Sequence, residues 1–383
     1  MIILFPYMAR WNSANRSRYY HLFNKIADLG HTVVVVQPPP RDSDETNYID
    51  LPVEHHPNIR LVTVRMPTWL WKHSLPVDKL LKKALYSFGS YVTIRRLVRE
   101  LRPNFLVLYN LPQYIYTFKN ETPVVFDFAD DYLAMLQHEL NLSEKSAVYR
   151  LSSHILEKLV RRSKLVTIVS QRLRDRVRHT NILQLSNGAD ECLDNHPPTV
   201  LHIDRARPVV GYVGAFEYFI DLELMLEAAE RLPRFTFILV GAGREFLRIK
   251  DSVAHRRLEN VILTGAVHHR QAMQFISEMD ICLCLFKKGP VADAASPIKL
   301  FEYIASGKPV IATRLTETLR IDQELQSLVY ADTLEELLNA ITWIEEHPEE
   351  TKQKVARSME IVRARYSWST LARQLISRLE EIQ

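Results

Sequence analysis

Cysteine is scarce: Cys192, Cys282 and Cys284 are the only three in a chain of 383 residues. That excludes a disulfide framework and fits a reducing compartment. Cys282 and Cys284 stand two apart within ICLCLF, on one face of an expected buried strand, so no metal-ligand spacing arises. No apolar run approaches the roughly 18 residues that a transmembrane helix needs. MIILF at the N-terminus is stopped by Pro6, and positive charge follows it instead of preceding it, the reverse of a secretory leader. Neither sign of charge dominates, since 49 Lys/Arg face 45 Asp/Glu and leave +4. With 47% hydrophobic and 25% charged residues, a disordered or collagen-like chain is excluded as well. The expectation is a cytoplasmic protein of two or three domains, with contact at the inner face of the cell membrane kept open.

What is present is rhythm. Short β-branched runs alternate with amphipathic stretches. IILF (2–5), TVVVVQ (32–37), FLVLY (105–109), PVVFDF (123–128) and KLVTIVS (164–170) read as buried strands. Helices are expected over 16–29, stopped by Gly30, and over 77–101, stopped before Pro103. A polar, proline-containing stretch at 196–208 reads as a linker. The rhythm then restarts with VVGYV (209–213), FTFILVG (235–241), VILTG (261–265), DICLCLF (280–286) and PVIAT (309–313). Near-continuous apolar strands separated by helices indicate parallel sheets covered on both faces. The expected fold class is α/β, with two doubly wound Rossmann-like domains, 1–200 and 201–365. A separate helix over 366–383 has Trp368, Leu371, Leu375, Ile376 and Leu379 on one side.

Glycine punctuates the second half. Only ten are present, and seven (Gly211, Gly214, Gly241, Gly243, Gly265, Gly289, Gly307) lie between 211 and 307. Glycine is required where backbone approaches a ligand or turns to positive φ. The second domain is therefore the expected seat of a phosphate-bearing ligand. The most informative segment is SPIKLFEYIASGKPVIAT, 296–313. Ser296 reads as an N-cap, Pro297 as the first helical residue and Gly307 as the C-terminal stop. Ile298, Phe301, Ile304 and Ala305 form an apolar stripe, while Lys299, Glu302 and Tyr303 share another face. A helix N-terminus with Lys299 suits a diphosphate. The Glu302 carboxylate suits the cis-diol of a ribose, since it accepts two hydroxyl hydrogen bonds. A surface ion pair on a well-capped helix would give the same spacing.

This segment resembles the nucleotide-binding motif of GT-B glycosyltransferases of the family 4-like and family 70-like groups, P-x-K-x-x-E-Y-x-A-x-G-x-P-V. GYVGAF (211–216) resembles their glycine loop, and LVGAGRE (239–245) the turn after the next strand. NVILTGAVHHRQAMQFISEMDICLCLF (260–286) resembles the stretch whose backbone holds the nucleobase, which implies Val267. SNGAD (186–190), GHTVVVVQPP (30–39) and the helix beginning YSWS (366–369) also resemble the group in the right order. The resemblance implies an N-terminal acceptor domain, a C-terminal donor domain with a nucleotide-sugar cleft between them, and a terminal helix crossing back. The donor is expected to be a UDP-sugar first, a GDP-sugar second, held by Lys299, Glu302, Gly214, Ser296, Tyr303, Gly241, Gly243 and Val267. Two departures stand out. The first of the two family 4 glutamates is replaced by Ala294, with Asp293 beside it. The basic pair after the glycine loop is replaced by Phe216 and Glu217.

VVFDFADDYLAM (124–135) sets Asp127, Asp130 and Asp131 at the end of an expected strand. A carboxylate there can take the proton of an attacking sugar hydroxyl. Asp130 is favoured as this base, with Asp131 and Asp127 as alternatives, because Asp127 lies within the apolar run and Asp131 fits a cap. In RWNSANRSRYY (10–20), Asn15 could cap the helix, and Arg10, Arg16 and Arg18 could meet a phosphate on the acceptor side. Residues 66–103 carry eight Lys/Arg against two acids, interleaved with Trp69, Trp71, Tyr86, Phe88 and Tyr91. Residues 158–179 carry eight against Asp175 alone. Such a surface suits anionic headgroups; nucleic acid is not expected, since no reading motif is present.

The expected protein is therefore a glycosyltransferase of surface polysaccharide synthesis. It would move a sugar from a nucleotide-diphosphate sugar to a hydroxyl of a glycan or lipid-linked saccharide. No metal or other cofactor is expected, and the loss at position 294 favours inversion. The alternatives are a nucleotide-sugar 2-epimerase on the same fold and a catalytically silent binding or assembly partner.

Overall fold

The computed structural model describes residues 1–11, 16–39, 55–66, 78–190 and 207–383. The chain divides into two compact units, Met1–Ser186 with Leu371–Gln383, and Asn187–Thr370. The boundary therefore falls at 186/187, earlier than the 200/201 expected, which lies outside the described residues together with most of the expected linker and Cys192. The return falls at 370/371, inside the terminal helix instead of before it.

In the first unit the order is β1 (Ile2–Pro6), α1 (Arg18–Asp28), β2 (Thr32–Gln37), β3 (Ile59–Thr63), α2 (Asp78–Leu101) and β4 (Phe105–Leu108). A 3-10 helix (Leu111–Thr117) precedes β5 (Val124–Phe128), α3 (Tyr132–Leu140), α4 (Ala147–Arg162), β6 (Leu165–Ile168), α5 (Gln171–Arg174) and β7 (Ile182–Gln184). The seven strands run β3-β2-β1-β4-β5-β6-β7, every pair parallel. The order reverses between β1 and β4, which opens a crevice at the carboxyl ends of those strands. β2, β4 and β5 are buried almost throughout, built mainly of valine, leucine and phenylalanine, because helices cover both sides.

In the second unit the order is β8 (Val209–Val213), α6 (Leu222–Arg231), β9 (Thr236–Val240), α7 (Phe246–Arg256), β10 (Val261–Gly265), α8 (His269–Glu278) and β11 (Ile281–Cys284). Then come α9 (Pro290–Asp293), α10 (Ile298–Ala305), β12 (Val310–Ala312), α11 (Thr316–Leu325), β13 (Leu328–Tyr330), α12 (Leu334–Glu346) and α13 (Pro348–Arg365); the last helix, α14 (Trp368–Glu381), starts in this unit and from Leu371 on belongs to the first. The six parallel strands run β10-β9-β8-β11-β12-β13, so this sheet reverses between β8 and β11. Trp368, Leu371, Leu375, Ile376 and Leu379 of α14 are all buried. Cys282 and Cys284 are free and buried in β11, as their spacing indicated.

Three strands escape the sequence pattern. β3, β7 and β13 are all at sheet edges, where one side needs no cover. Only the first residue of β3 is buried, and the other two are three residues long, so none shows a continuous apolar run.

Candidate functional site

In the second unit, α10 brings Lys299 to the reversal point between β8 and β11. Its ammonium lies 4.2 Å from the centre of the Tyr212 ring and 5.7 Å from that of Phe286. Lys299 Nζ donates to Tyr212 Oη at 2.7 Å, and that hydroxyl donates onward to the Ala215 carbonyl at 2.8 Å. The lysine is thus tied to the loop that leaves β8. Burial pulls its pKa down to about 8; Cys284 beneath it and Glu302 beside it oppose the shift only in part. Among the described residues no carboxylate forms an ion pair with it. A positive charge held in an aromatic cage, short of counter-charge, is poised for an anion.

Gly214 makes room for this. A Cβ there would stand 2.7 Å from Lys299 Nζ. Gly241 and Gly243 serve the scaffold instead of offering an open ligand surface. A Cβ on Gly241 would lie 1.9 Å from the Gly214 carbonyl oxygen, and one on Gly243 would lie 2.6 Å from that of Phe216. Phe216 N donates to Ala242 O at 3.0 Å and Glu245 N to Phe216 O at 3.0 Å, so the two loops are laced together. Glu217, at the place of the missing basic pair, pairs with Arg244 of the neighbouring loop at 3.1 Å.

The 296–303 segment differs in detail from its sequence reading. The N-cap is Pro297 and the helix begins at Ile298, so Ser296 is no cap. Asn187 instead clasps Ser296: its side chain donates to the Ser296 carbonyl and its backbone N–H to Ser296 Oγ at 3.4 Å. Tyr303 does not share the Lys299 face. It is fully buried, and its hydroxyl takes the Val213 N–H at 2.7 Å, bracing the end of β8. Leu300 joins the buried side of the helix with Phe301, Ile304 and Ala305, while Ile298 is half-buried. Glu302 is half-buried with His269 3.9 Å from its carboxylate. Val267 lies between β10 and α8, half-buried against the core of this unit. Asp293 does not fill the gap at Ala294: its carboxylate accepts from the backbone and hydroxyl of Thr316, both at 2.8 Å, and Ala294 is buried.

In the first unit the three aspartates separate. Asp127 is buried and locked to Arg18 by two bonds of 3.0 Å, with Thr167 Oγ1 donating to the same carboxylate. Arg18 also donates to the carbonyls of Leu185 and Ser186. Neither is available as base or phosphate ligand. Asp131 caps α3 by accepting from Ala134 N at 3.0 Å, and Arg176 lies 3.1 Å away. Asp130 is exposed at its surface yet lodged among protein groups, and that surrounding desolvation pushes its carboxyl pKa up. Lys83 pulls it back, and Asp127 adds to the rise. Of the acceptor-side candidates, Asn15 lies outside the described residues, and the N-cap of α1 is Ser17. Arg16 is exposed over the Tyr20 ring at 4.7 Å, and Arg10 donates to the Pro38 carbonyl at 3.1 Å.

The basic stretches lie largely at the surface. Phe88 and Val92 are exposed on α2 with Arg96 and Arg99, while Lys82 is buried; Trp69, Trp71 and Lys72 lie outside the described residues. Among the described residues no helix is long and apolar enough to cross a membrane. Sequence reasoning missed the cage, because Tyr212 and Phe286 read as strand core. The available signal was an aromatic residue two positions before the turn glycine Gly214.

Comparison with known proteins fits this geometry. Residues 218–377 match the family model described as glycosyl transferase-like. TuaH of Bacillus subtilis, named for glycosyl transfer in teichuronic acid biosynthesis, is 25% identical over 273 residues, 64% of this chain and 68% of TuaH. O-antigen chain mannosyltransferase C of Escherichia coli is 28% identical over 114 residues, 30% of each chain. Sucrose-phosphate synthase from Thermosynechococcus elongatus superposes with a TM-score of 0.78 at 16% identity, covering 100% of this chain and 98% of that one. HepE of Anabaena, in complex with UDP-glucose, superposes at 0.71 and 16% identity over all of both chains. The two doubly wound units are those of the GT-B fold. The chain is a glycosyltransferase.

Proposed function

We propose that the protein transfers a sugar from a nucleoside diphosphate sugar, a UDP-sugar, to a hydroxyl of a glycan acceptor in surface polysaccharide synthesis. The observation that carries this reading is the caged cation Lys299 at the β8/β11 reversal, beside Gly214 and the N-terminus of α10. In the proposal the diphosphate lies against Lys299 and the first N–H groups of α10, and Glu302 takes the ribose diol. The acceptor hydroxyl attacks the anomeric carbon from the face opposite the diphosphate. Its proton passes to Asp130, the bond to the diphosphate oxygen breaks, and the configuration inverts. Lys299 stabilises the charge that develops on the departing diphosphate, so the scheme needs no metal. Peripheral contact of α2 with an anionic membrane belongs to the proposal too, because Phe88 and Val92 stand exposed beside Arg96 and Arg99.

The test is calorimetric titration of UDP, GDP, ADP and TDP into the wild type and Glu302→Ala. UDP should bind most tightly, and the variant should lose about tenfold or more, the worth of hydrogen bonds to a charged group. A folded wild type that binds none of the four refutes the proposal.

A further inference from the structure

The reversal point of the first sheet carries an arrangement that no step above uses. Tyr109 follows β4, Tyr19 is the second residue of α1, and Tyr132 is the first residue of α3 after β5. All three therefore stand at the carboxyl ends of β1, β4 and β5, around the place where the strand order reverses. The Tyr19 and Tyr109 rings lie 4.6 Å apart, and Tyr7 lies 6.1 Å from each of them. Tyr109 Oη accepts from Met8 N at 2.9 Å. The other two hydroxyls are different. Tyr19 is 7% exposed and Tyr132 8% exposed, and among the described residues neither phenol oxygen has a hydrogen-bond partner. A buried hydroxyl without a partner is costly, and two near one carboxylate, Asp127, call for an explanation. Both feel Asp127 and Arg18, and Tyr132 feels Asp130 most strongly of its charged neighbours.

Among the described residues, the charges named around this spot balance. Asp127 is paired with Arg18, Asp131 faces Arg176, and Asp130 feels Lys83 from α2. A site neutral in sum, walled by aromatic rings and offering phenol hydroxyls beside one accessible carboxylate, matches an uncharged sugar ring. Its C–H face packs on the aromatics and its hydroxyls pair with phenol and carboxylate.

We infer that Tyr19, Tyr132 and Asp130, on the Tyr7–Tyr109 aromatic floor, form the subsite for a neutral hexose unit of the acceptor, the two phenols hydrogen-bonding its hydroxyls. The inference rests on the transferase reading above.

The test uses methyl β-D-glucopyranoside and methyl β-D-galactopyranoside as neutral probes and methyl β-D-glucuronide as the charged one. Saturation-transfer NMR on the full chain reads their binding, and calorimetry reads UDP. At least one neutral glycoside should receive saturation from aromatic protons. Tyr19→Phe and Tyr132→Phe should each weaken it about fivefold, the worth of one hydroxyl hydrogen bond. Both variants should keep wild-type UDP affinity and melt at the same temperature or higher, because each removes an unpaired buried hydroxyl. Unchanged glycoside affinity in both variants overturns the inference and leaves ordered water as the partner of the phenols. So does a wild type that binds neither neutral probe, or one that prefers the glucuronide. Loss of UDP binding by the wild type is a separate failure, that of the transferase reading itself.

Discussion

Lys299 gives the sharpest quantitative expectation. Its ammonium is caged by Tyr212 and Phe286, and burial holds its pKa at about 8, well below the ordinary lysine value of 10.5. At about 1.4 kcal/mol per pKa unit, holding the charge there costs on the order of 3 kcal/mol against water. A bound diphosphate supplies the missing negative charge and restores the lysine to a higher pKa. Below pH 8 the free enzyme already carries the proton, and UDP affinity should be flat. Above pH 8 the free enzyme must take up a proton to bind, so affinity should fall about tenfold per pH unit until the pKa of the complex is passed. The diphosphate is fully ionised throughout this range, because terminal phosphate groups titrate near pH 6.

The assay is calorimetry of UDP between pH 7 and 9.5, in buffers of differing ionisation enthalpy, which counts the protons taken up. Lys299→Met should bind UDP at least 100-fold more weakly and without pH dependence. The linkage with folding has the opposite sign. The native pKa lies below that of the unfolded chain, so between about pH 8 and 10.5 the unfolded state holds more protons, and rising pH stabilises the wild type. At pH 7 Lys299→Met should therefore be more stable than wild type, by about 1–2 kcal/mol after allowance for partial exposure. Flat UDP affinity from pH 7 to 9.5 without proton uptake would refute the reasoning. So would a destabilised Lys299→Met.

Three further outcomes are expected. Asp130→Asn should abolish turnover while UDP affinity is kept, and the acid limb of the wild-type rate profile should sit above the ordinary carboxylate range, since the base works deprotonated and its pKa is raised; unchanged turnover excludes Asp130 as base. Asp127→Asn should lower stability to urea by about 3–5 kcal/mol, the cost of leaving Arg18 buried without its counter-charge, and a shift below 1 kcal/mol would contradict the geometry. Gly241→Ala should both lower the melting temperature and weaken UDP binding, because its Cβ would stand 1.9 Å from the Gly214 carbonyl at a φ of +135°, and the displaced loop carries Gly214 to the Lys299 ammonium.

The central strands were legible from sequence: TVVVVQ and VVGYV match β2 and β8 residue for residue, and so does VILTG for β10, an edge strand whose five-residue apolar run gave it away. The other edge strands, β3, β7 and β13, were not, because an edge needs neither length nor a second apolar face. Lys299 and Glu302 were legible as candidates through helix spacing and capping, although capping chemistry misplaced the helix start by one residue. What spacing could not convey was pairing across long sequence distances. Arg18 and Asp127 are 109 residues apart, and only the fold turns two expected site residues into each other's counter-charge. Likewise Gly241 and Gly243 looked like ligand-facing glycines, but the Gly214–Phe216 loop occupies the space they leave.

The two units share one topological device, a strand-order reversal at the carboxyl ends of a parallel sheet, yet they differ in what charge they leave there. In the first unit a helix following the first strand also presents a cation, Arg18, but Asp127 satisfies it with two bonds and two backbone carbonyls absorb the rest. A diphosphate would have to displace a buried carboxylate to reach it. In the second unit the cation has aromatic faces and a phenol oxygen around it, and its nearest carboxylate, Glu302, only partly offsets its burial. An anion arriving there relieves a cost already built into the fold, whereas at the first reversal it would create one. In the proposal, the same electrostatic difference directs a nucleoside diphosphate to β8/β11 and leaves the β1/β4 reversal to a ligand recognised by hydroxyls and ring faces. The donor and acceptor roles proposed for the two units rest on that difference in charge compensation, with no recourse to the order of the domains in the chain.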